Sequence, residues 1–162
     1  KYPEHFIIDS SREKICRAAA LHDVGKISIS DTILNKKGRL TDEEMEIMKT
    51  HTTKGYEIIR GFKLNDDEEQ ERYSLDIAKY HHERWDGKGY PEGLQGDEIP
   101  LWSQIVGIVD VYDALVSPRV YKKAFSHEKA MEMILAGECG TFNPILLECL
   151  KDAEELLKNE YK

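Results

Sequence analysis

An all-α fold is what this sequence predicts, and three observations predict it. Apolar residues recur at three- and four-residue spacing in segment after segment, the period of an amphipathic helix. Helix-start signals precede several of those segments. Alternating apolar and polar stretches of the kind that mark half-buried strands are absent. Counting the periodic segments gives about six to seven helices, expected to pack as a single compact bundle spanning residues 1–162.

The elements follow in order. Ser10-Ser11-Arg12-Glu13 has the form of a capping box, and Ile15, Ala18, Ala19 and His22 fall on one face of the helix it opens. Gly25 can stop that helix. Thr41-Asp42-Glu43-Glu44 is a second capping box, opening a helix with Ile47, Met48, His51, Gly55 and Ile58 on one face. A polar run, 65–72, separates it from a third helix in which Ser74, Ile77, Ala78 and His81 align. In all three helices the histidine is expected on the apolar, inward stripe. The stretch 83–100 is different. Gly87, Gly89, Gly93 and Gly96 with Pro91 and Pro100 make it a long Gly/Pro-rich loop, and a loop of that length in a compact domain is usually functional. The segment 101–116 is apolar nearly all round and predicts a central buried helix, interrupted by Asp110 and Asp113 and ended by Pro118. Further helices are predicted over 127–136 and 144–157, the last with Asn143 as N-cap and Pro144 in its first turn.

Composition narrows the function classes. The net charge is −8, which argues against bulk DNA or RNA binding, since polyanion binders need a basic face. A small phosphate ligand remains compatible, because bound cations reverse the sign of a pocket locally. Cys16, Cys139 and Cys149 are odd in number and lack CxxC spacing. They read as small buried hydrophobes in a reducing cytoplasm. No apolar run approaches the ~20 residues that span a membrane, and no signal peptide is visible at Lys1-Tyr2-Pro3-Glu4. The absence of an initiator Met suggests a fragment of something longer.

The candidate chemistry lies in six residues. Leu21-His22-Asp23-Val24-Gly25-Lys26 and His81-His82-Glu83 each carry an adjacent pair of metal-ligating types, and three of the chain's six histidines sit in those pairs. With His51 and Asp110 they give the ligand candidates His22, Asp23, His51, His81, His82 and Asp110. A lone inward histidine is more often a core residue bonded to a carbonyl. Four of them with two buried acids are harder to explain so, because an unpaired buried carboxylate costs several kcal/mol and metal coordination is one of the few ways to recover it.

Together with Gly87-Lys88-Gly89-Tyr90-Pro91, these motifs resemble an HD-GYP domain, a bacterial metal-dependent phosphodiesterase family of the HD superfamily associated with cyclic di-GMP. The likeness covers most of the chain, from Ala18 to the helix after Pro144. It implies that the six candidates hold two divalent ions, with Asp23 bridging them. Four neutral imidazoles and two carboxylates leave two divalent ions a surplus of positive charge for a bridging hydroxide and a phosphodiester. Such mixed N/O sites favour iron or manganese over magnesium or calcium, and the resemblance implies iron first. The resemblance further assigns Lys26, Arg119 and Lys122 to substrate phosphates, with Asp23 and Lys26 as the catalytic pair. Tyr90 becomes a recognition residue beside a base, and Asp113 orients a ligand or caps a local network. Trp85 and Trp102 read as core or loop anchors. GGDEF-type signalling domains are implied as partners, and a homodimer is admissible.

Two departures stand out. Commoner members carry a further histidine on a helix well upstream of the HD pair; here His5 is the one histidine before His22, without a helical apolar frame, and it is not assigned as a ligand. Asn143 and Val120 stand where many relatives have Asp and Pro. The leading expectation is therefore hydrolysis of a cyclic dinucleotide, cyclic di-GMP first, through a metal-bridging hydroxide. The alternative is a regulatory module without turnover that binds nucleotide or a partner domain. An HD-type di-iron oxygenase is the third reading, against which the Gly-Tyr-Pro loop and Arg119 argue.

Overall fold

The computed structural model describes residues 9–62, 67–118 and 124–160. Among them every regular element is a helix, so the all-α expectation holds. Extended backbone pairs at an isolated bridge between Asp86 and Gln95. No helix among the described residues is long and apolar enough to cross a membrane. The chain packs as two compact units, one formed by residues 1–36 and 40–81, the other by 37–39 and 82–162.

The first unit contains α1 (Asp9–Ala19), α2 (Asp31–Leu34), α3 (Asp42–Lys49), α4 (His51–Phe62) and α5 (Glu68–Tyr80). Helix α5 packs against both α1 and α4. Ile15 and Ala18 of α1, Ile59 of α4, and Tyr73, Ile77 and Ala78 of α5 are buried there. Gln70 Nε2 ties α5 to α1 by donating to the Lys14 carbonyl at 3.1 Å.

Several boundaries differ from the sequence expectation. Helix α1 already includes Asp9 and Ser10, so the Ser10 capping box is not its start, and it ends at Ala19 rather than Gly25. His22 therefore lies in a turn beyond the helix. That turn is held by the Leu21 and His22 amides donating to Ala18 and Ala19 carbonyls, and it leads into a 3-10 turn, Val24–Ser28. The helix predicted through His51 is two helices. The Thr41–Glu44 capping box opens α3 as expected, but Thr50 closes it. Its hydroxyl donates to the Ile47 carbonyl at 2.6 Å and so competes with the helical ladder. Helix α5 begins inside the predicted polar spacer, because the Asp67 carboxylate accepts from the Glu69 and Gln70 amides at 3.1 Å each.

The second unit contains α6 (Leu101–Val116), α7 (His127–Leu135), α8 (Pro144–Asp152) and α9 (Glu154–Glu160). Its core joins Ile108, Tyr112 and Leu115 of α6 to Ala130, Met131 and Ile134 of α7, with Phe142 and Leu150. The bounds of α6 are those predicted, but it is not buried all round, since Val109 is 46% exposed. Asn143 caps α8 by accepting from the Ile145 amide at 2.9 Å. The predicted final helix divides at Ala153 (φ −91°, ψ 0°). The cysteines correct another expectation: Cys16 is exposed, and Cys139 and Cys149 are half-buried.

Candidate metal centre

Three imidazoles of the first unit are set in place the same way. His22 Nδ1 lies 2.7 Å from the Ala19 carbonyl, His51 Nδ1 2.8 Å from that of Met48, and His81 Nδ1 2.8 Å from that of Ile77. A carbonyl only accepts, so each Nδ1 carries the proton and each neutral ring presents a lone pair on Nε2. The local structure explains the arrangement. His22 sits in the turn after α1, His51 opens α4 and His81 caps α5. At these helix ends a carbonyl three or four residues back is within reach of the ring.

The Nε2 atoms converge on Asp23. Asp23 Oδ1 lies 3.3 Å from His51 Nε2 and 3.9 Å from His81 Nε2, and Oδ2 lies 3.3 Å from His22 Nε2. The His51 and His81 Nε2 atoms are 3.5 Å apart. His22 and His81 meet edge to face with ring centroids 5.1 Å apart. His51 and His81 are 1% exposed. Asp23 Oδ1 is itself buried and accepts no hydrogen bond from the described residues, despite that short approach to His51. The tautomers account for this, since neutral His51 and His81 offer lone pairs there and not protons.

Charge reinforces the pattern. Burial opposes the charged form of Asp23, but hydrogen bonds from His22 and Lys26 outweigh it and hold the carboxyl well below the usual carboxylate range. The Lys26 contribution is the firmer of the two, because His22 can donate from Nε2 only as an imidazolium. Lys26 Nζ donates to Asp23 Oδ2. Burial pushes His51 below the ordinary imidazole range, which keeps it neutral and able to coordinate. Lone pairs facing a buried carboxylate oxygen are costly on their own, and a divalent cation among them would satisfy all of them at once. The donor set, imidazole nitrogens with a carboxylate, is the borderline type that such cations take.

Gly25 has a role the sequence reading missed. A Cβ placed on it would lie 1.9 Å from the His51 carbonyl oxygen and 2.5 Å from the Gly55 nitrogen. It is a contact glycine that seats the His22-Asp23 turn on the first turn of α4, not a helix stop.

The remaining predicted residues lie in the second unit or outside the described ones. His82 stacks on Tyr90 with centroids 4.7 Å apart and 27° between planes. Asp110 is a half-buried residue of α6. Asp113 is exposed and accepts from the Ser117 hydroxyl at 3.2 Å, a local cap. Trp85 is an anchor through its backbone, whose amide donates to the Thr141 carbonyl at 2.9 Å. Arg119, Val120, Lys122 and His5 fall outside the described residues.

Glu83 was passed over in the sequence, although it completes the His81-His82-Glu83 motif. It is 5% exposed, and its carboxylate accepts from the amides of Glu92, Gly93 and Leu94 at 2.8, 3.1 and 3.0 Å. No residue type in the sequence signals this role, because the partners are main-chain amides. Gly87 (φ +75°) needs the left-handed region, as expected of a turn glycine. Gly89 serves close approach, since a Cβ there would lie 2.3 Å from the Arg84 nitrogen.

Comparison with known proteins agrees with the geometry. A family model described as HD domain matches residues 7–142. The chain is 44% identical over 144 residues to a cyclic di-GMP phosphodiesterase of Vibrio cholerae, covering 88% of this chain and 29% of that protein. It is 43% identical to a cyclic di-GMP phosphodiesterase of Thermotoga maritima, covering 90% of this chain and 38% of that one. A 3'3'-cGAMP-specific phosphodiesterase 2 of Vibrio cholerae is 41% identical, with 89% and 27% covered. The chain thus spans well under half the length of these curated relatives. HD domains bind divalent metal, and the residues clustered around Asp23 are a group that could hold such an ion. By these matches and by its own His-Asp, His-His and Gly-Tyr-Pro motifs, the chain belongs to the HD domain family and is of the HD-GYP type.

Proposed function

We propose that this chain is the hydrolytic domain of a metal-dependent cyclic dinucleotide phosphodiesterase, with cyclic di-GMP as the first substrate. The observation that carries the reading is the set of three carbonyl-anchored imidazoles whose Nε2 atoms face the buried Asp23 carboxylate. The relatives' names supply the substrate class, and they divide between cyclic di-GMP and cGAMP. Base preference within that class is therefore the finer part of the proposal.

In this reading His22, Asp23, His51, His81, His82 and Asp110 act as ligands of two ions, iron first and manganese next. Divalent ions bound there would supply Lewis-acid charge and lower the pKa of water for attack on phosphorus. The protein's part is positional. The Nδ1 bonds to main-chain carbonyls fix ring orientation, and bonds of this kind are worth about 10–100-fold in metal affinity. Lys26, held by Asp23, places a cation beside the carboxylate to neutralise a substrate phosphate, and the same role is assigned to Arg119 and Lys122. Tyr90, on its stack with His82, offers a face to a base. A cytoplasmic setting belongs to the reading and suits three free cysteines. GGDEF-type partners and a homodimer stay within it as proposals.

The test is hydrolysis of cyclic di-GMP, 3'3'-cGAMP and cyclic di-AMP by iron- and manganese-loaded protein, with metal per chain measured in parallel. Linear dinucleotide is expected from cyclic di-GMP, and Asp23→Ala should yield none. Protein that holds its metal and cleaves none of the three would refute the proposal.

A further inference from the structure

We infer that Glu83 is a positioning residue, a buried carboxylate that locks the Gly-Tyr-Pro loop and through Tyr90 fixes the ring of His82. The inference rests on the reading of His82 as a metal ligand, but its first readout does not. Glu83 has neither of the ordinary fates of a buried acid. Among the described residues no cation is paired with it in an ion pair at 4.0 Å or less, and its two oxygens take three consecutive backbone donors, Glu92, Gly93 and Leu94. Those amides lie immediately after Tyr90-Pro91, so the carboxylate reaches across sequence separations of nine to eleven positions and ties the loop back onto the position next to His82.

The rest of the loop is tied to the same point. The Tyr90 amide donates to the His82 carbonyl at 3.3 Å, and the Tyr90 ring stacks on the His82 ring at 4.7 Å. Gly89 packs its bare Cα against the Glu83 backbone, where a Cβ would lie 2.4 Å from Glu83 Cα. The Arg84 guanidinium donates from Nη1 to the Glu83 carbonyl at 2.9 Å and lies over the Phe142 ring. On the far side the Asp86 carboxylate accepts from the Thr141 hydroxyl at 3.1 Å. Carboxylate, stack and glycine contact thus constrain one short segment on either side of His82. The Tyr90 face is an orienting contact of His82.

The replacement that isolates the claim is Glu83→Gln, which keeps shape but aims an amide NH2 at one of the three backbone donors. Hydrogen exchange is read on the full chain for peptides covering 83–98 and, as reference, for α4 and α5. Mn2+ affinity is titrated by electron paramagnetic resonance. We expect the 92–94 amides to exchange at least about tenfold faster with α4 and α5 unchanged, as when a local unit opens alone. Mn2+ affinity should fall by about 10–100-fold, the cost of losing an outer-shell partner, and excess metal should restore turnover. Tyr90→Ala should reproduce the affinity loss, Tyr90→Phe should not, and Glu83→Gln with Tyr90→Ala should be no worse than either alone, because both act through one contact. Unchanged exchange at 92–94 overturns the lock. Changed exchange with unchanged Mn2+ affinity overturns the link to His82. If Glu83→Gln fails to fold, the Tyr90 pair decides, and equal affinities for Ala and Phe overturn the inference. Absence of cyclic dinucleotide hydrolysis in the parent protein would count against the hydrolase reading and leave the exchange and Mn2+ results to judge Glu83.

Discussion

Replacing Gly25 by alanine tests how the His-Asp pair is held. The added Cβ would lie 1.9 Å from the His51 carbonyl oxygen, 2.5 Å from the Gly55 nitrogen and 2.9 Å from the His51 carbonyl carbon. All three are backbone atoms, so no rotamer change makes room. Favourable non-bonded separations are about 3.5–4.0 Å, so the turn and α4 must part by more than about 1 Å. Overpacking of this kind costs about 1–3 kcal/mol, at times more. At about 2–4 °C per kcal/mol for a chain of this size, a cost near 3 kcal/mol lowers Tm by about 6–12 °C. The same shift lengthens the 3.3 Å approach of Asp23 Oδ1 to His51 Nε2, and a misplacement of ~1 Å can cost about a hundredfold in function. Gly61, also in α4, is the control: a Cβ there meets nothing within 4 Å, so Gly61→Ala should be neutral or stabilise by up to about 1 kcal/mol. Melting curves and Mn2+ titrations of both variants decide the matter. Gly25→Ala with the parent's Tm and metal affinity would refute the contact argument.

Three further outcomes are expected. Asp23→Asn should abolish metal binding and lower the Tm of metal-free protein, since the neutral amide loses the charge-assisted bond from Lys26 that holds the carboxyl ionised, and a new bond to the His51 lone pair recovers only part of it; metal affinity equal to the parent's would contradict the ligand assignment. Metal-free protein should lose stability as pH falls below about 6.5, because folding depresses His51 and the unfolded chain then binds the proton that the folded one resists. Asp23, also depressed, adds stability above the ordinary carboxylate range that is lost at still lower pH. Urea midpoints that rise on acidification would reverse that sign. Gly140→Ala should destabilise by about 1–3 kcal/mol, because φ is +107° and the Cβ would lie 2.6 Å from Arg84 Nε; an unchanged denaturation midpoint would mean that Arg84 leaves the Phe142 ring at no cost.

Period and caps made most of the fold legible. Leu101–Val116 is bounded as predicted because Pro100 and Pro118 bracket a continuous apolar segment, and the Thr41–Glu44 box and the Asn143-Pro144 start are local chemistry that tertiary packing leaves alone. What period cannot show is a break that keeps the same face. Ile47, Met48, His51 and Gly55 fit one helical stripe, yet Thr50 ends one helix and His51 begins the next. The break matters to the site, since it places His51 within a hydrogen bond of the Met48 carbonyl at a helix entrance.

The site was legible to the extent that ligand types are rare and distinctive, and illegible where function lies in backbone contact. His22, Asp23, His51 and His81 could be named because buried imidazoles and carboxylates need a reason to be buried. Gly25 could not be read as a contact glycine, because nothing local separates a residue that must accept a left-handed turn from one whose missing Cβ admits another helix. Glu83 escaped for a related cause: its partners are amides, which every residue carries, so no pairing residue marks it in sequence. The two omissions share a consequence. Residues that donate to a metal declare themselves by type, while residues that hold the donors in place do so through main-chain atoms. Substitutions at Gly25 and Glu83 should therefore change metal affinity while leaving each of the proposed ligands intact.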